Sequence, residues 1–193
     1  MDFQLTEEQK MLKRTLHDFA QRELKPRAAH WDETGEYPWD NVKRLATLGV
    51  TGLPIPPEYG GQGGNWFDVV LAMEEIAWGC ANTAMMVMSG IGICAQAIAW
   101  YGTEAQKRKY LPPIAAGTSV AAICMTEPDA GSATSHLQTS AVRHGDRYLV
   151  NGRKCWITRA GVADTYVVFV RFESIPGIAG VGAVILEKGM RGL

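Results

Sequence analysis

The segment ICMTEPDAGS, from Ile123 to Ser132, marks the point where the chain changes from helical to strand-like patterns. An apolar run enters a turn of Pro, Gly and hydroxyl residues, which is typical of a β-strand that ends in a loop. Such a strand end presents backbone N–H groups and short side chains at one place, which suits a planar polar ligand or a phosphate-bearing group. An ordinary turn after a strand has the same composition and is the preferred interpretation from composition alone.

The residues before this segment show helical periodicity. Helices are predicted from Thr6 to Pro26, from about Pro38 to Gly49, from about Phe67 to Ala77, from Thr83 to Trp100, and from Thr103 to the pair Pro112-Pro113. Two of these begin with the spacing of a capping box, Thr6 with Gln9 and Thr103 with Gln106. The stretch Gly52 to Asn65 is too rich in Pro and Gly for regular structure and is predicted to be a loop.

The residues after Gly117 come in short apolar runs separated by turn formers. Strands are predicted over Val120–Met125, Tyr148–Val150, Cys155–Thr158, Tyr166–Val170 and Val181–Leu186. Turn residues at His144-Gly145-Asp146 and at Asn151-Gly152 favour antiparallel hairpins. The predicted fold is therefore α+β, with an all-α domain over 1–117 and an antiparallel β-barrel domain over 118–193. We expect that second domain to be incomplete, because so few strands leave open edges.

Composition limits the classes of function. The 193 residues are 47% hydrophobic and 20% charged, as in a soluble globular protein, and 19 basic against 20 acidic side chains give a net charge of -1. This balance argues against nucleic acid or an anionic membrane as a partner. The N-terminal residues lack the features of a signal or transit peptide, so we expect a cytoplasmic protein.

One apolar stretch has the length of a membrane span. No charged residue lies between Glu75 and Glu104, but polar residues and glycines interrupt this stretch. A helix buried in a protein core is the preferred interpretation, and no membrane span is predicted.

The cysteines indicate neither a metal site nor a disulfide framework. Cys80, Cys94, Cys124 and Cys155 lie far apart in apolar surroundings and form no C-x-x-C pair. We expect four buried free thiols and no metal ligands.

A second segment, KCWIT from Lys154 to Thr158, has a composition that suits a ligand. If it is a strand, Trp156 and Thr158 lie on the same face, because side chains alternate along a strand. An indole beside a hydroxyl group makes a stacking wall with a hydrogen-bonding group next to it. A core Trp of a β-domain is an equally good interpretation from composition alone.

The order of these segments resembles the acyl-CoA dehydrogenase family of flavoproteins. The resemblance rests on CMTEPDAGS followed by NGRKCWIT, and on LTEEQ, PPEYGGQGG, EEIAWGC and QKRKYLPPIAAG in the helical half. It covers essentially the whole chain. The resemblance implies a helical N-terminal domain, a middle β-domain and a C-terminal four-helix domain, of which this sequence has the first and most of the second.

The resemblance implies FAD as cofactor and assigns residues to it. The implied flavin-binding residues are Ile123, Cys124, Met125, Thr126, Ser132, Trp156, Ile157 and Thr158. Thr126 is expected near the polar edge of the flavin ring, Trp156 is expected to pack on the ring, and Thr158 to bond near its reactive N5. The implied substrate-binding residues are Ser132, at the pantetheine arm, and Met85, Met88 and Ser89, along the acyl chain. From the sequence alone, core packing is the preferred interpretation of these three residues.

The resemblance also implies a reaction, the α,β-dehydrogenation of an acyl-CoA thioester with hydride transfer to flavin N5. The family's catalytic base is a Glu of the C-terminal domain, so no catalytic residue is assigned in this chain. Glu127 and Asp129 are expected to be solvated loop carboxylates, and Glu74 and Glu75 to lie on a helix surface or in ion pairs. An electron-transfer flavoprotein or a similar acceptor is the implied partner, and the complete protein is expected to form a homodimer or homotetramer.

Two residues depart from the family pattern. Ala133 stands where an Asp is usual, and Arg159 follows WIT where a small residue or Asn is usual. Together with EYPWDNV at Glu36 to Val42, the first departure resembles a branch of the family that cleaves the carbon–sulfur bond of sulfinopropionyl-CoA. That desulfinase activity and a non-catalytic fragment are therefore the alternative functions.

Overall fold

A computed structural model describes residues 4–193, and these divide into two compact units. The first unit ends at Ser119, and the second runs from Val120 to Leu193. Residues 1–3 lie outside the described residues. The start of the predicted domain 1–117, and of the N-terminus predicted to lack signal-peptide features, falls on them.

The first unit is helical. Its α-helices among the described residues are α1 (Glu7–Phe19), α2 (Ala28–Thr34), α3 (Trp39–Thr47), α4 (Trp66–Gly79), α5 (Ala81–Met88), α6 (Ala95–Tyr101) and α7 (Glu104–Ala115). Both predicted capping boxes are confirmed: the Thr6 hydroxyl accepts from the Gln9 amide at 3.2 Å, and Thr103 accepts from Gln106 at 3.3 Å. An additional capping box, not predicted, begins α4 at Asn65.

The predicted helix ends at proline are wrong. After α1 the chain continues through a π-helical turn at Ala20–Leu24 and a 3₁₀ turn at Lys25–Arg27 into α2. Pro26 lies at the start of that 3₁₀ turn, where its missing N–H removes no helical hydrogen bond. Pro112 and Pro113 likewise lie inside α7, in its last turn. The residues four before them are exposed, so water can satisfy the carbonyl groups that lose a partner.

The long apolar helix belongs to the interior of the helical unit. α5, a π-helical turn at Ser89–Cys94 and α6 form one helix over Ala81–Tyr101, with a mean hydropathy of 1.5 in its most apolar window. By length and composition this helix could cross a membrane, but 61% of that window is buried. Such burial agrees with the predicted core helix.

The predicted loop over 52–65 contains two short 3₁₀ turns, Val50–Gly52 at its start and Pro57–Tyr59 within it. Its backbone passes close to itself, because a Cβ atom on Gly61 would lie 1.9 Å from the Ile55 carbonyl oxygen. Only glycine fits at that crossing. The side chain of Ile55 is fully buried, so the loop contributes to the core of the helical unit.

The second unit contains a five-stranded sheet. Its strands are β1 (Ala121–Cys124), β2 (Ser140–His144), β3 (Arg147–Asn151), β4 (Thr165–Phe172) and β5 (Val181–Glu187). The first half of β4 pairs with β1 and its end pairs with β2, both in parallel, while β5 runs antiparallel along the other side of β4. Strands β2 and β3 form an antiparallel hairpin.

The predicted antiparallel barrel is therefore corrected to a mixed, open sheet. Among the described residues, β3 and β5 each pair with a single neighbour, so the sheet does not close. Parallel strands are usually joined by a helical crossover, and the sequence after Gly117 has no helix-length segment between its strands. Here the connections over 125–139 and 152–164 cross over as irregular loops.

The hairpin at His144-Gly145-Asp146 is confirmed, with Gly145 at φ 67°. Strand β2 was not predicted. The predicted reversal at Asn151-Gly152 and the predicted strand Cys155–Thr158 are wrong, because the chain leaves β3 as an irregular segment. Within that segment Trp156 has a φ of 58°, which no β-strand allows.

Candidate functional site

The two segments singled out in the sequence lie side by side in the β unit. The Cys155 amide donates to the Thr126 carbonyl oxygen at 3.0 Å, and the Lys154 Nζ donates to the Met125 carbonyl oxygen at 3.0 Å. We call residues 123–132 and 154–159 together the loop junction. The structure therefore brings the loop after β1 and the segment after β3 into one site.

A buried charge pair holds the loop junction together. Lys154 Nζ lies 2.8 Å from Glu127 Oε1, and the two side chains are only 10% and 6% exposed. The Glu127 carboxylate also accepts hydrogen bonds from the backbone amides of Gln138, at 2.6 Å, and Thr139, at 2.8 Å. Glu127 thus connects the loop after β1, the segment after β3 and the approach to β2.

The prediction of a solvated Glu127 is wrong. Burial by itself raises the pKa of this carboxyl group, but the hydrogen bonds from Lys154 and from the two backbone amides outweigh it and lower the pKa to about 2. Glu127 is therefore ionised throughout the physiological range, and its lone pairs are already engaged. It has a structural role and is a poor proton acceptor.

The other three acidic residues considered as candidates lie in an exposed turn or in ion pairs. Asp129 is exposed, at the tip of a turn closed by reciprocal hydrogen bonds between Glu127 and Ala130. In α4, Glu75 is buried, with its oxygens 2.7 Å from His17 Nδ1 and 3.2 Å from Lys13 Nζ. Glu74 lies 2.9 Å from the same Lys13. The predicted ion pairs are confirmed.

Cys124 lies at the end of β1, and burial raises the pKa of its thiol to about 11, although the charge of Lys154 partly opposes this. The thiol is therefore protonated and unreactive at neutral pH. The prediction of buried free thiols is confirmed for Cys80, Cys94 and Cys124, but Cys155 is only half-buried.

Trp156 projects from the surface of the β unit. Its side chain is 89% exposed, and its φ of 58° places it outside any strand. Both interpretations of Trp156 as part of a strand are therefore corrected: it neither shares a strand face with Thr158 nor belongs to a β core. Ile157 and Thr158 follow it half-buried, in a turn closed by a hydrogen bond from the Ala160 amide to the Ile157 carbonyl oxygen.

A concave cavity of about 910 Å³ lies beside the loop junction. Lining residues from the junction and from the neighbouring strands include Cys124, Lys154, Ile157, Tyr166 and Leu186. The cavity has the size and mostly apolar lining of a site for a cofactor or drug-sized ligand.

The implied flavin residues differ in what they can offer. Ile123, Met125 and Thr126 are half-buried, Ser132 is exposed, and the Cys124 side chain is buried. Cys124 can therefore contribute backbone groups only.

The residues implied to line the acyl chain all lie in the long apolar helix. Met85 is 57% exposed, so core packing is the wrong interpretation for it. The Met88 side chain packs over its own helix, because a Cβ atom on Gly92 would lie 2.7 Å from its sulfur. The Ser89 hydroxyl donates to the Met85 carbonyl oxygen at 2.7 Å.

The sequence did not predict the structural surroundings of two arginines in the β unit, Arg171 and Arg159. Arg171 donates to the backbone carbonyl oxygens of Ser135, Leu137, Ile175 and Gly177, at 2.6 to 3.1 Å. It thereby fixes the loop that follows Ser132 against the loop after β4. Arg159 is buried and has a φ of 71°. The sequence showed that an Arg at this position departs from the family pattern, but it did not show that the side chain is buried.

Comparison with protein families assigns both units. The acyl-CoA dehydrogenase N-terminal domain matches residues 6–118, and the acyl-CoA dehydrogenase middle domain matches residues 122–193. The chain belongs to the acyl-CoA dehydrogenase family. This confirms the resemblance that the two loop motifs indicated.

Two curated relatives of this acyl-CoA dehydrogenase family member match nearly all of the chain but only part of their own length. It is 43% identical over 192 residues to a short-chain specific acyl-CoA dehydrogenase of Clostridium acetobutylicum, covering 100% of this chain and 51% of that protein. It is 44% identical over 169 residues to a 3-sulfinopropanoyl-CoA desulfinase of Cupriavidus necator, covering 88% and 42%. The chain thus spans about half the length of these relatives.

Solved structures share the fold. Butyryl-CoA dehydrogenase of Megasphaera elsdenii superposes with a TM-score of 0.91 at 39% identity, covering 100% of this chain and 51% of that one. A glutaryl-CoA dehydrogenase of Mycobacterium smegmatis in complex with FADH2 gives a TM-score of 0.90 at 29% identity, covering 97% and 47%.

Replacing Glu127 tests the buried pair through its pH dependence. The folded-state pKa of about 2 lies below the ordinary 4.5, so the stabilisation is complete above about pH 4.5 and is lost as the pH falls toward 2. Glu127→Gln leaves Lys154 buried without a counter-charge and should cost roughly 3–5 kcal/mol at neutral pH. Denaturant unfolding followed across pH measures both effects.

Asp129→Asn, in the same loop, is the matched control and should leave the acid profile of the wild type unchanged. An E127Q variant with the stability and acid profile of the wild type would contradict the structural role of the pair.

Proposed function

We propose that this chain supplies the helical and β domains of an FAD-dependent acyl-CoA dehydrogenase, which removes one hydrogen each from the α and β carbons of an acyl-CoA thioester. The observation that carries the proposal is the loop junction. There the Cys155 amide donates to the Thr126 carbonyl oxygen, so the residue before the exposed Trp156 is bonded to the loop after β1.

The residues of the loop junction fit a flavin. An indole exposed to 89% is unusual for so large an apolar group, and a planar ring stacked on it would remove it from water. The hydroxyl groups of Thr126 and Thr158 are half-buried, and neither forms a hydrogen bond to another residue that the structure describes. An exposed aromatic surface with hydroxyl groups in the same loop junction suits a planar polar ring such as a flavin.

FAD, when bound, would supply the acceptor for the hydride. The chain's own residues would hold and orient it. Trp156 would pack against the ring, the hydroxyl groups of Thr126 and Thr158 and the Met125 backbone would bond its polar atoms, and Ile123, Cys124 and Ile157 would complete the wall. Ser132 would bond the ring and the pantetheine arm of the substrate. In the helical unit, Met85, Met88 and Ser89 are the proposed contacts for the acyl chain.

The proton on the α carbon needs a base that the loop junction does not provide. Glu127 is excluded because its pKa of about 2 and its hydrogen bonds make it a weak base at neutral pH. Lys154 is excluded as well, because its ammonium group is tied to Glu127 and to the Met125 carbonyl oxygen. The task of these two residues is to keep both segments in position for the reaction.

Further properties follow from the same proposal. The reduced enzyme must pass its electrons on, and an electron-transfer flavoprotein or a similar acceptor is the proposed partner. A structural relative at 42% identity, with a TM-score of 0.93, is described with the electron transferring flavoprotein of Acidaminococcus fermentans, which supports this class of partner. We also propose a cytoplasmic location and a homodimeric or homotetrameric assembly.

A second candidate is an acyl-CoA-dehydrogenase-like desulfinase, which would release sulfite from 3-sulfinopropanoyl-CoA without net oxidation. The identity of 44% to such an enzyme over 169 residues favours it, as do Ala133 and Arg159. The two activities differ in their need for an electron acceptor.

The activity is tested with the FAD-loaded protein under anaerobic conditions. Addition of short-chain and branched acyl-CoA thioesters should bleach the flavin absorbance, because dehydrogenation reduces the ring. Sulfite release from 3-sulfinopropanoyl-CoA without any acceptor would instead support the desulfinase. The dehydrogenase proposal fails if no acyl-CoA of a broad panel bleaches the flavin.

Removing the indole tests the flavin site itself. Trp156→Ala should weaken FAD binding roughly tenfold, since an aromatic stacking contact contributes about 1 kcal/mol beyond its buried area. The dissociation constant is measured by titrating the protein with FAD and following the flavin fluorescence. Trp100→Ala removes an exposed indole of the helical unit and should leave FAD affinity unchanged. Equal FAD affinity of W156A and wild type would rule out Trp156 as a ring contact.

A further inference from the structure

Arg171 uses its guanidinium group to join two irregular loops of the β unit. Its Nη2 atom donates to the carbonyl oxygen of Ser135, at 2.6 Å, and its Nε atom to that of Leu137, at 3.1 Å. Its Nη1 atom donates to the carbonyl oxygens of Ile175, at 2.6 Å, and Gly177, at 2.8 Å. These bonds occupy four of the five N–H groups of an arginine side chain. The guanidinium group is therefore held in place by residues of this chain alone.

Ser132 lies in a short stretch between two anchored points. Before it, a turn is closed by reciprocal hydrogen bonds between the backbones of Glu127 and Ala130, at 3.0 and 3.2 Å. After it comes a 3₁₀ turn over Thr134–His136, which contains one of the carbonyl groups bonded by Arg171. The backbone of Ser132 itself forms no hydrogen bond to the backbone of another described residue. Its position therefore depends on the anchors on either side.

Arg171 and Glu127 hold the segment after Ser132 at different points. The Glu127 carboxylate accepts from two backbone amides where the chain enters β2, whereas Arg171 bonds carbonyl groups nearer to Ser132. The side chain of Leu137, between these points, is 1% exposed and packs in the core. Weakening the Arg171 bonds should therefore loosen the residues next to Ser132 and leave the β unit folded, with its buried charge pair intact.

We propose that Arg171 is a positioning residue for the substrate, because it fixes the loop from which the Ser132 hydroxyl group reaches the pantetheine arm. This proposal rests on the proposed function, in which Ser132 is assigned to that arm. The buried pair of Lys154 and Glu127 then serves the flavin, and Arg171 serves the thioester. Arg171 acts through Ser132 and needs no contact with either ligand.

The experiment follows flavin reduction in the full-length FAD-loaded enzyme by anaerobic stopped-flow, with the acyl-CoA that bleaches the wild type fastest. The dependence on substrate concentration separates the substrate dissociation constant from the limiting rate. Arg171→Lys keeps the charge, but its compact ammonium group cannot bond both loops as the guanidinium fork does. The substrate dissociation constant should rise roughly fivefold, the effect of one neutral hydrogen bond. The limiting rate and the FAD affinity should stay within about twofold of the wild type, because the ring contacts remain.

Ser132 provides a readout that a purely structural role of Arg171 would not move. Ser132→Ala should raise the substrate dissociation constant by roughly the same factor. Because Arg171 acts through Ser132, the double variant S132A/R171K should bind the substrate no more weakly than S132A alone. Additive effects of the two substitutions would overturn the proposal. Wild-type substrate affinity in S132A would also overturn it, whether or not R171K folds.

Arg143→Lys is the matched control. Arg143 lies in β2, and its Nε atom donates to the Gly145 carbonyl oxygen, at 3.1 Å, within the same hairpin. R143K should leave the substrate dissociation constant unchanged. An R171K variant that unfolds at a lower temperature but keeps wild-type substrate affinity would show that Arg171 only stabilises the fold, and this too would overturn the proposal.

Binding of CoA itself separates failure of this proposal from failure of the proposed function. The pantetheine arm belongs to CoA, so calorimetric titration with CoA reports on the Ser132 contact even if no thioester reduces the flavin. CoA should bind R171K roughly fivefold more weakly than the wild type. Equal affinities, or no binding of CoA by the wild type, overturn the role of Arg171. If CoA binds as expected while no acyl-CoA bleaches the flavin, dehydrogenation fails and the role of Arg171 stands.

Discussion

The buried pair of Lys154 and Glu127 is the interaction on which the β unit's site depends. Two charges withdrawn from water stabilise a structure only if their other hydrogen-bonding groups are also satisfied. Here Lys154 also donates to the Met125 carbonyl oxygen, and Glu127 also accepts from the amides of Gln138 and Thr139. Three irregular segments that share no ladder of β hydrogen bonds are thereby held in one arrangement. The exposed Trp156 owes its position to this arrangement, because the Cys155 amide next to it is bonded to Thr126.

The sequence predicted regular elements well where the signal was local. Capping boxes at Thr6 and Thr103 and the hairpin at Gly145 depend on neighbouring residues, and each was found as expected. The prolines did not predict the helix ends: Pro26 lies at the start of a 3₁₀ turn that needs no N–H, and Pro112 lies in the last turn of α7, where water can satisfy the carbonyl group that loses its partner. The mixed sheet could not be predicted, since β1 and β2 pair with β4 through long-range contacts across irregular loops.

The candidate site shows the same division between local and long-range information. The motifs ICMTEPDAGS and KCWIT were identified from their residues and from their resemblance to the family, and the structure joins them. The strand predicted at KCWIT was wrong. An apolar run with an aromatic residue resembles a strand in sequence whether or not a partner strand lies beside it. The burial of Glu127 and Arg159 was invisible in the sequence, because a charged residue in a turn is ordinarily solvated.

If the buried pair positions both loops for a flavin, breaking the pair must weaken FAD binding. The FAD dissociation constant of Lys154→Met is compared with that of the wild type at a temperature where both are folded, as shown by circular dichroism. We expect at least tenfold weaker FAD binding, because the loop after β1 and the segment after β3 lose the charge pair that joins them. An unchanged dissociation constant in the folded variant would contradict it.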